Sequence, residues 1–340
     1  MCLITSVTVE NWRGFTRASL SEFTALTVLA GSNGCGKSSV LEAILIAGGR
    51  SPGDAIGRAV LRRADAWNAS RWLFHDHDDA DVTAALSVER TRGTRAVKLT
   101  WNEGAHALHM PWTYAEPASW IRAEGLGPDE FVSETAFSAD NQYRFQNRGG
   151  PSAGEMIRLV DPVNRTRDAL HRVVSRAIDG NRIERVETML ERLTHGELSG
   201  VRIATEDPAV PVVRVRQGNR NVPVAVAGDG VASLIRVACE LAAPAGSVVL
   251  LEEPEVHLHA KALWELSEAI SETVGTGVQV IMTTHSDQLL EFLDQHTETR
   301  PQMTLVGMSR LADGTLNSFQ GRGEDVADVR ERAFRVMHTE

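Results

Sequence analysis

Apolar and polar residues alternate in the opening TSVTVENW in the manner of a half-buried strand. ALTVLAG follows as a short apolar run ending in glycine, the pattern of a central strand. After GSNGCGKSS the period changes, and in VLEAILIAGG apolar residues fill a helix face before a Gly pair marks the stop. Strand, glycine-rich loop and helix thus follow in order. WLFHDHDDADVTAALSVERT and TRAVKLTW alternate again and predict antiparallel strands beside this first core. The stretch from Trp112 to Ala153, rich in Gly, Pro, Asn and Ser, predicts loop with a buried strand near FVS. From Pro162 to Leu193 the spacing of Ala169, Val173, Ala177, Ile183, Val186, Leu190 and Leu193 predicts two helices broken at DGN, a helical lobe. GVRIAT, PVVRVRQ and VPVAV predict three strands leading to GDG and a helix that begins near Val231. SVVLLEEPE and VQVIMTTHS are buried strands, one running into carboxylates and one into a histidine, each followed by a helix. The tail predicts a hairpin from MTLVGMSRL and TLNSFQG and a closing helix VADVRERAFRVM, so the fold class is α/β with inserted antiparallel and helical portions.

Composition narrows the class. At 340 residues, 42% hydrophobic and 24% charged, the chain has the balance of a soluble globular protein. No apolar stretch approaches the roughly 18 residues of a membrane helix, and MCLITSVTVENWRGF lacks the regions of a signal peptide. A cytoplasmic address without a membrane partner is expected. Cys2, Cys35 and Cys239 are too scattered for a zinc or disulfide framework. The formal charge of −10 argues against coating by nucleic acid, although ten Arg against seven acids between Arg144 and Arg192 make that stretch locally basic.

Candidate chemistry clusters in three places. Gly31 to Ser38 reads GSNGCGKS, the G-x-x-x-x-G-K-[ST] pattern, between a predicted strand and a predicted helix. There, glycines let backbone N–H groups of Asn33, Gly34, Cys35 and Gly36 curl around phosphate oxygens at a helix N-terminus. Lys37 is expected to reach the β- and γ-phosphates of ATP and the Ser38 hydroxyl to help bind Mg²⁺. Cys35 is either a small filler of the loop or a redox-sensitive thiol. At the end of SVVLLEEPE, Glu252 and Glu253 point to opposite sides of a strand and so take separate tasks. Glu252 is assigned to Mg²⁺ through water, Glu253 to the attacking water as general base. His285, at the end of the next buried strand, is assigned to the γ-phosphate or its water. His257 and His259 look like a metal pair but have no third ligand nearby, and zinc is not expected.

Taken together, NWRGF, GSNGCGKSS, AGDGVASLIR, LLEEPEVHLHA and QVIMTTHSDQLL resemble the ABC-type ATPases of the SMC/RecF/OLD group, across nearly the whole chain. The resemblance implies a P-loop NTPase fold, an ABC ATPase head with an antiparallel β subdomain and an inserted helical lobe. It implies one head over residues 1–340, with an N-terminal half at 1–130, a helical lobe and connecting strands at 131–227, and a C-terminal half at 228–340. By the same resemblance Gly31 to Ser39 is the Walker A motif, Glu252 and Glu253 form Walker B with its catalytic glutamate, and His285 is the switch histidine. Gly228, Asp229 and Gly230 resemble a degenerate signature motif, Arg13 the family's N-terminal arginine near the nucleotide, and Gln142 or Gln146 the Q-loop glutamine. Two positions depart from the pattern. Glu252 stands where most relatives carry Asp, and Gly228 where a serine is common, which removes a hydroxyl contact and suggests slow hydrolysis.

In that family the signature loop of one subunit closes over ATP held by the other, so a homodimer around ATP, or a higher oligomer, is implied. Fewer than 60 residues follow His285, too few for a TOPRIM nuclease, and no coiled coil with a zinc hook fits between the motifs. The expected function is therefore that of a sensor or motor subunit of a prokaryotic two-component system, in anti-phage defence, with a separately encoded nuclease or toxin as effector. Two alternatives stand beside it. One is an ATP-gated scaffold that sequesters a protein partner; the other is a RecF-like repair ATPase that meets DNA or RNA through Arg165, Arg167, Arg172 and Arg176.

Overall fold

The structure, a computed structural model, describes residues 3–62, 70–77, 82–103, 117–127, 130–138, 142–149, 156–160, 167–206, 210–256 and 258–339. β3 (Leu26–Gly31) is buried at every position, as its unbroken apolar run requires. It lies within a six-stranded sheet of order β16-β15-β3-β14-β13-β9, formed with β9 (Ile157–Val160), β13 (Val248–Glu252), β14 (Gln279–Thr284), β15 (Met303–Arg310) and β16 (Leu316–Arg322). Every pair in it is parallel except β15 with β16. Alternate residues feed two cores: Val28, Val249, Val280 and Leu305 face one, and Leu29, Leu250, Ile281 and Val306 face the other.

The second of these cores is closed by a seven-stranded antiparallel sheet of order β2-β1-β4-β5-β6-β7-β8. Its strands are β1 (Ile4–Trp12), β2 (Phe15–Leu20), β4 (Thr83–Arg90), β5 (Arg95–Glu103), β6 (Pro117–Leu126), β7 (Phe131–Ser138) and β8 (Tyr143–Gly149). Between the two sheets runs α1 (Lys37–Gly48), buried at every residue but Ser38. A helix covered on all sides needs apolar residues around its whole circumference, which is what VLEAILIAGG supplies. The first core is closed by α3 (Arg167–Asp179), α4 (Ile183–Leu193), α6 (Asp229–Leu241), α7 (Ala260–Gly275), α8 (Asp287–Gln295) and α9 (Val326–Thr339). A three-stranded sheet of β10 (Leu198–Glu206), β11 (Val210–Gln217) and β12 (Arg220–Pro223) joins that layer.

Three local expectations need correction. The stretch from Trp112 to Ala153, read as loop around one strand, contributes β6, β7 and β8, so the antiparallel layer continues past residue 130. Its polar composition is internal: Thr135 Oγ1 donates to Gly53 O at 3.0 Å and Ser133 Oγ to Asn147 Oδ1 at 2.7 Å. VPVAV is not one strand, because β12 stops at Pro223, which has no N–H for the ladder, and α5 (Val224–Ala227) follows. The helix after it starts at Asp229. α2 (Pro52–Leu61) was not anticipated, since two glycines lower its helix propensity. Gly57 is there for close packing: a Cβ on it would lie 2.1 Å from the Tyr143 ring of β8.

Candidate active site

The parallel strands end on one edge, which is where open α/β sheets bind ligands. Register brings Met308 of β15 beside Gly31 of β3, Thr284 of β14 beside Ala30, and Glu252 of β13 beside Thr283. The carboxylate strand and the histidine strand are thereby neighbours of a glycine loop that lies more than 200 residues before them in sequence. A cavity of about 640 Å³ opens on this edge.

The loop between β3 and α1 forms its floor, with Asn33, Gly34, Gly36, Lys37, Ser38 and Ser39 lining the cavity. Gly36 caps α1 at φ +102, and a Cβ there would lie 2.1 Å from Cζ of the fully buried Phe15, so no other residue fits. Trp12 Nε1 donates to Ser39 O at 2.9 Å and ties the end of β1 to the first turn of α1. Lys37 is buried, and its Nζ donates to Gly31 O at 2.8 Å and Ser32 O at 3.0 Å, which stretches the ammonium along the loop. Burial holds its pKa below the ordinary lysine value, against the pull of Cys35, Glu253 and Glu255. Cys35 is buried and does not line the cavity; burial raises its thiol pKa, which favours the filler over the reactive thiol.

The two adjacent glutamates part as expected, but β13 ends at Glu252 and a left-handed turn at Glu253, not strand alternation, separates them. Glu253 leaves the strand at φ +43, a left-handed conformation uncommon for a residue with a side chain and costing about 1–3 kcal/mol. Its N–H is held by Thr283 O and Thr283 Oγ1, both at 3.1 Å, and its carboxylate turns into the cavity to meet His285 Nε2 at 3.0 Å. The hydrogen bond from His285 lowers the Glu253 pKa from the ordinary carboxylate value, with the charges of His285 and Lys37 assisting and burial opposing. Glu253 is thus an ionised acceptor at neutral pH, the state a general base needs. His285 is fixed from behind: Glu255 Oε1 accepts its backbone N–H at 2.8 Å and the Thr284 hydroxyl at 2.6 Å. Glu255 escaped the sequence analysis, although a third acid in EEPE was its signal.

Glu252 faces the other way. It is buried below the cavity and does not line it, and its Oε2 accepts from Arg62 Nη2 at the end of α2. Arg13, expected near the nucleotide, does line the cavity, but its guanidinium is engaged inside the protein. Its Nε and Nη2 lie 3.0 and 2.9 Å from Oε2 of the fully buried Glu42, and Nη2 also reaches Ala59 O at 2.9 Å. It is thus a buried ion pair at the cavity wall, not an exposed salt bridge. Trp72, Phe74, His75, His77 and Arg310 complete the cavity and carried no sequence motif.

Gly228, Asp229 and Gly230 do not line this cavity. They lie exposed or half-exposed at the N-terminus of α6, beside Val226, which is 73% exposed. Neither candidate Q-loop residue lines it: Gln146 Nε2 donates to Glu134 Oε2 across the antiparallel sheet, and Gln142 precedes β8. His259 caps α7 through Ala262 N and stacks on His195, while His257 lies outside the described residues. Of the helical-lobe arginines, Arg176 is bound to Glu240, Arg172 is exposed, and Arg165 and the Arg167 side chain lie outside the described residues.

Residues 26–291 match the model of a family described as AAA domain, putative AbiEii toxin, Type IV TA system. A Helicobacter pylori protein named ATP/GTP phosphatase is 21% identical over 328 residues, covering 86% of this chain and 88% of the relative. Among solved structures, an Smc head bound to the C-winged helix domain of ScpA superposes with a TM-score of 0.51 at 15% identity, covering 96% of this chain and all of that one. The Smc head domain with an extended coiled coil, bound to the C-terminal domain of ScpA derived from Pyrococcus furiosus, gives 0.51 at 14%, covering 98% and 99%. These heads share the fold, a P-loop NTPase of the ABC type.

Proposed function

The chain belongs to the family of AAA domains described as putative AbiEii toxin, Type IV TA system, and from that premise we propose that it is an ATP-hydrolysing, ATP-gated dimer that drives a separate effector. ATP hydrolysis itself follows from the family, from the relative named ATP/GTP phosphatase and from the P-loop head fold. The observation that carries the mechanism is the Glu253–His285 pair, 3.0 Å apart, across the cavity floor from Lys37.

Backbone N–H groups of the glycine loop and the Lys37 ammonium bind the phosphates. Glu253 orients a water and takes its proton as the water oxygen bonds to the γ-phosphorus; the bond to the β-γ bridging oxygen breaks, giving ADP and phosphate. His285 Nε2, 3.0 Å from Glu253 Oε1, holds the carboxylate in line. Ser38 from the cavity wall and, through water, Glu252 from beneath it would join phosphate oxygens in the all-oxygen donor set that suits Mg²⁺. When bound, Mg²⁺ neutralises charge on the β- and γ-phosphates.

Gly228 to Gly230 sit on the surface, away from the cavity of their own chain, and this supports completion of the site by a second copy. The effector we propose is a separately encoded nuclease or toxin of a cytoplasmic defence system; the family description, which concerns toxin–antitoxin systems, supports a protein partner. Among the described residues no helix is long and apolar enough to cross a membrane.

The test combines ATP turnover with mass in solution under ADP, ATP, and ATP with Glu253→Gln. Turnover should fall by about 10²- to 10⁴-fold in the variant, and the trapped dimer should appear only there or with ATP. Lys37→Ala behaving as the parent, or one mass under all three conditions, would overturn the proposal. Retention of all biological activity by Glu253→Gln would instead favour an ATP-gated scaffold. Failure to bind the product of the neighbouring gene, with or without ATP, would remove the effector.

A further inference from the structure

Beneath the cavity four buried side chains alternate in charge. Arg13 pairs with Glu42 Oε2; Arg62 Nη1 lies 3.3 Å from Glu42 Oε1; Arg62 Nη2 donates to Glu252 Oε2. Their side chains are 7%, 0%, 11% and 11% exposed for Arg13, Glu42, Arg62 and Glu252, and the formal charges cancel within the group. Each member comes from a different element: the β1–β2 turn, α1, the end of α2 and the end of β13.

We propose that Arg62 is a positioning residue of the metal site, holding Oε2 of Glu252 so that Oε1 is left for the water of Mg²⁺. This rests on the assignment of Glu252 to the metal. A glutamate has one more rotatable bond than the aspartate usual at this position, and freezing that bond costs side-chain entropy unless another contact already fixes it. Arg62 is that contact. Its planar fork can engage two carboxylates at once, as a lysine cannot. Arg62 is in turn fixed, because Glu42 is fully buried on α1, where Arg13 grips its other oxygen. Carboxylates that ligate metals are commonly oriented by such outer partners, whose loss lowers metal affinity or activity by about 10- to 100-fold.

The experiment measures Mn²⁺ binding by electron paramagnetic resonance of the free ion, with the full chain and a non-hydrolysed ATP analogue. Arg62→Met should raise the Mn²⁺ Kd by about 10- to 100-fold, while metal-free binding of the analogue stays at the parent level. Arg62→Lys should fall between the two, and it carries the test if thermal unfolding in EDTA shows Arg62→Met to be misfolded. In a Glu252→Asp background, whose shorter side chain withdraws from Arg62, Arg62→Met should add no further loss. An unchanged or tighter Mn²⁺ Kd in Arg62→Met, with the ion lost from Glu252→Gln, overturns the role of Arg62 alone. A parental Kd in Glu252→Gln overturns the metal assignment itself.

Discussion

Glu42 offers the sharpest test of the buried charges, through Glu42→Gln, which keeps the shape and removes the charge. Each glutamate oxygen faces a different arginine, Oε2 toward Arg13 and Oε1 toward Arg62. Glutamine has one oxygen to offer, so one guanidinium must meet an NH₂ group, donor against donor. At 0% exposure water cannot relieve that clash. Breaking a buried pair by neutralising one member costs about 3–5 kcal/mol, because a charge is left uncompensated. Arg13 retains Ala59 O and Arg62 retains Glu252, which places the expected loss at about 3 kcal/mol, the lower end of that range. With an unfolding entropy of about 2.1 cal/mol/K per residue over 340 residues, the change corresponds to a fall in Tm of about 4 °C. Calorimetry reads it directly. Arg17→Gln is the control: its pair with Glu10 spans 3.6 Å with both side chains more than half exposed, and such a pair contributes about 0–1 kcal/mol. If Glu42→Gln proves no more destabilising than Arg17→Gln, the four charges do not act as a buried network.

Four further outcomes are expected. In His285→Ala the main cause of the lowered Glu253 pKa disappears, so the pKa rises, the base protonates at higher pH, and the acid limb of the kcat profile moves to higher pH; an unmoved limb would refute the pairing. The same lowered pKa gives the wild type a stabilising contribution that is present above the unfolded-state pKa and lost as pH falls through the folded one. Glu255→Ala should lower kcat by about 10- to 100-fold with ATP binding retained, because His285 loses its backbone anchor; single-turnover kinetics would separate the two. Gly36→Ala should abolish ATP uptake through both its φ of +102 and the clash with Phe15, whereas Gly93→Ala, at φ +105 with nothing within 4 Å, should leave uptake intact; labelled-ATP binding compares them.

Local patterns were legible where one segment carries both the element and its chemistry. GSNGCGKSS announces a glycine loop between strand and helix, though not its packing against Phe15, and LLEEPE announces a strand end whose acids diverge, as Glu252 and Glu253 do. Arg62 and Glu42 were not legible, because nothing in α1 or α2 says that their side chains meet beneath β13. Arg310 escaped for a similar reason: only the parallel pairing of β15 with β3 brings it to the glycine loop. The strands from Pro117 to Gly149 were hidden by serines and threonines that are buried yet hydrogen-bonded, and a composition rule reads such residues as exposed.

The same long-range pairing ties a surface turn to the strand that carries Glu252. α6 begins at the exposed Gly228 to Gly230 turn, and near its other end Glu240, 3% exposed, binds Arg158 of β9 at 2.9 Å and Arg176 of α3 at 2.6 Å. β9 pairs in register with β13, Leu251 lying opposite Val160, one residue before Glu252. A push on the turn would therefore act on a helix that is pinned through Glu240 to the strand beside β13. Exposed salt bridges would yield to such a push. A carboxylate with two guanidinium partners and almost no access to water does not, because separating them strands charge in the interior. Glu240 thus joins α6, α3 and β9 into one rigid unit beside β13, and through it the Gly228 to Gly230 turn is connected to the strand that ends at Glu252.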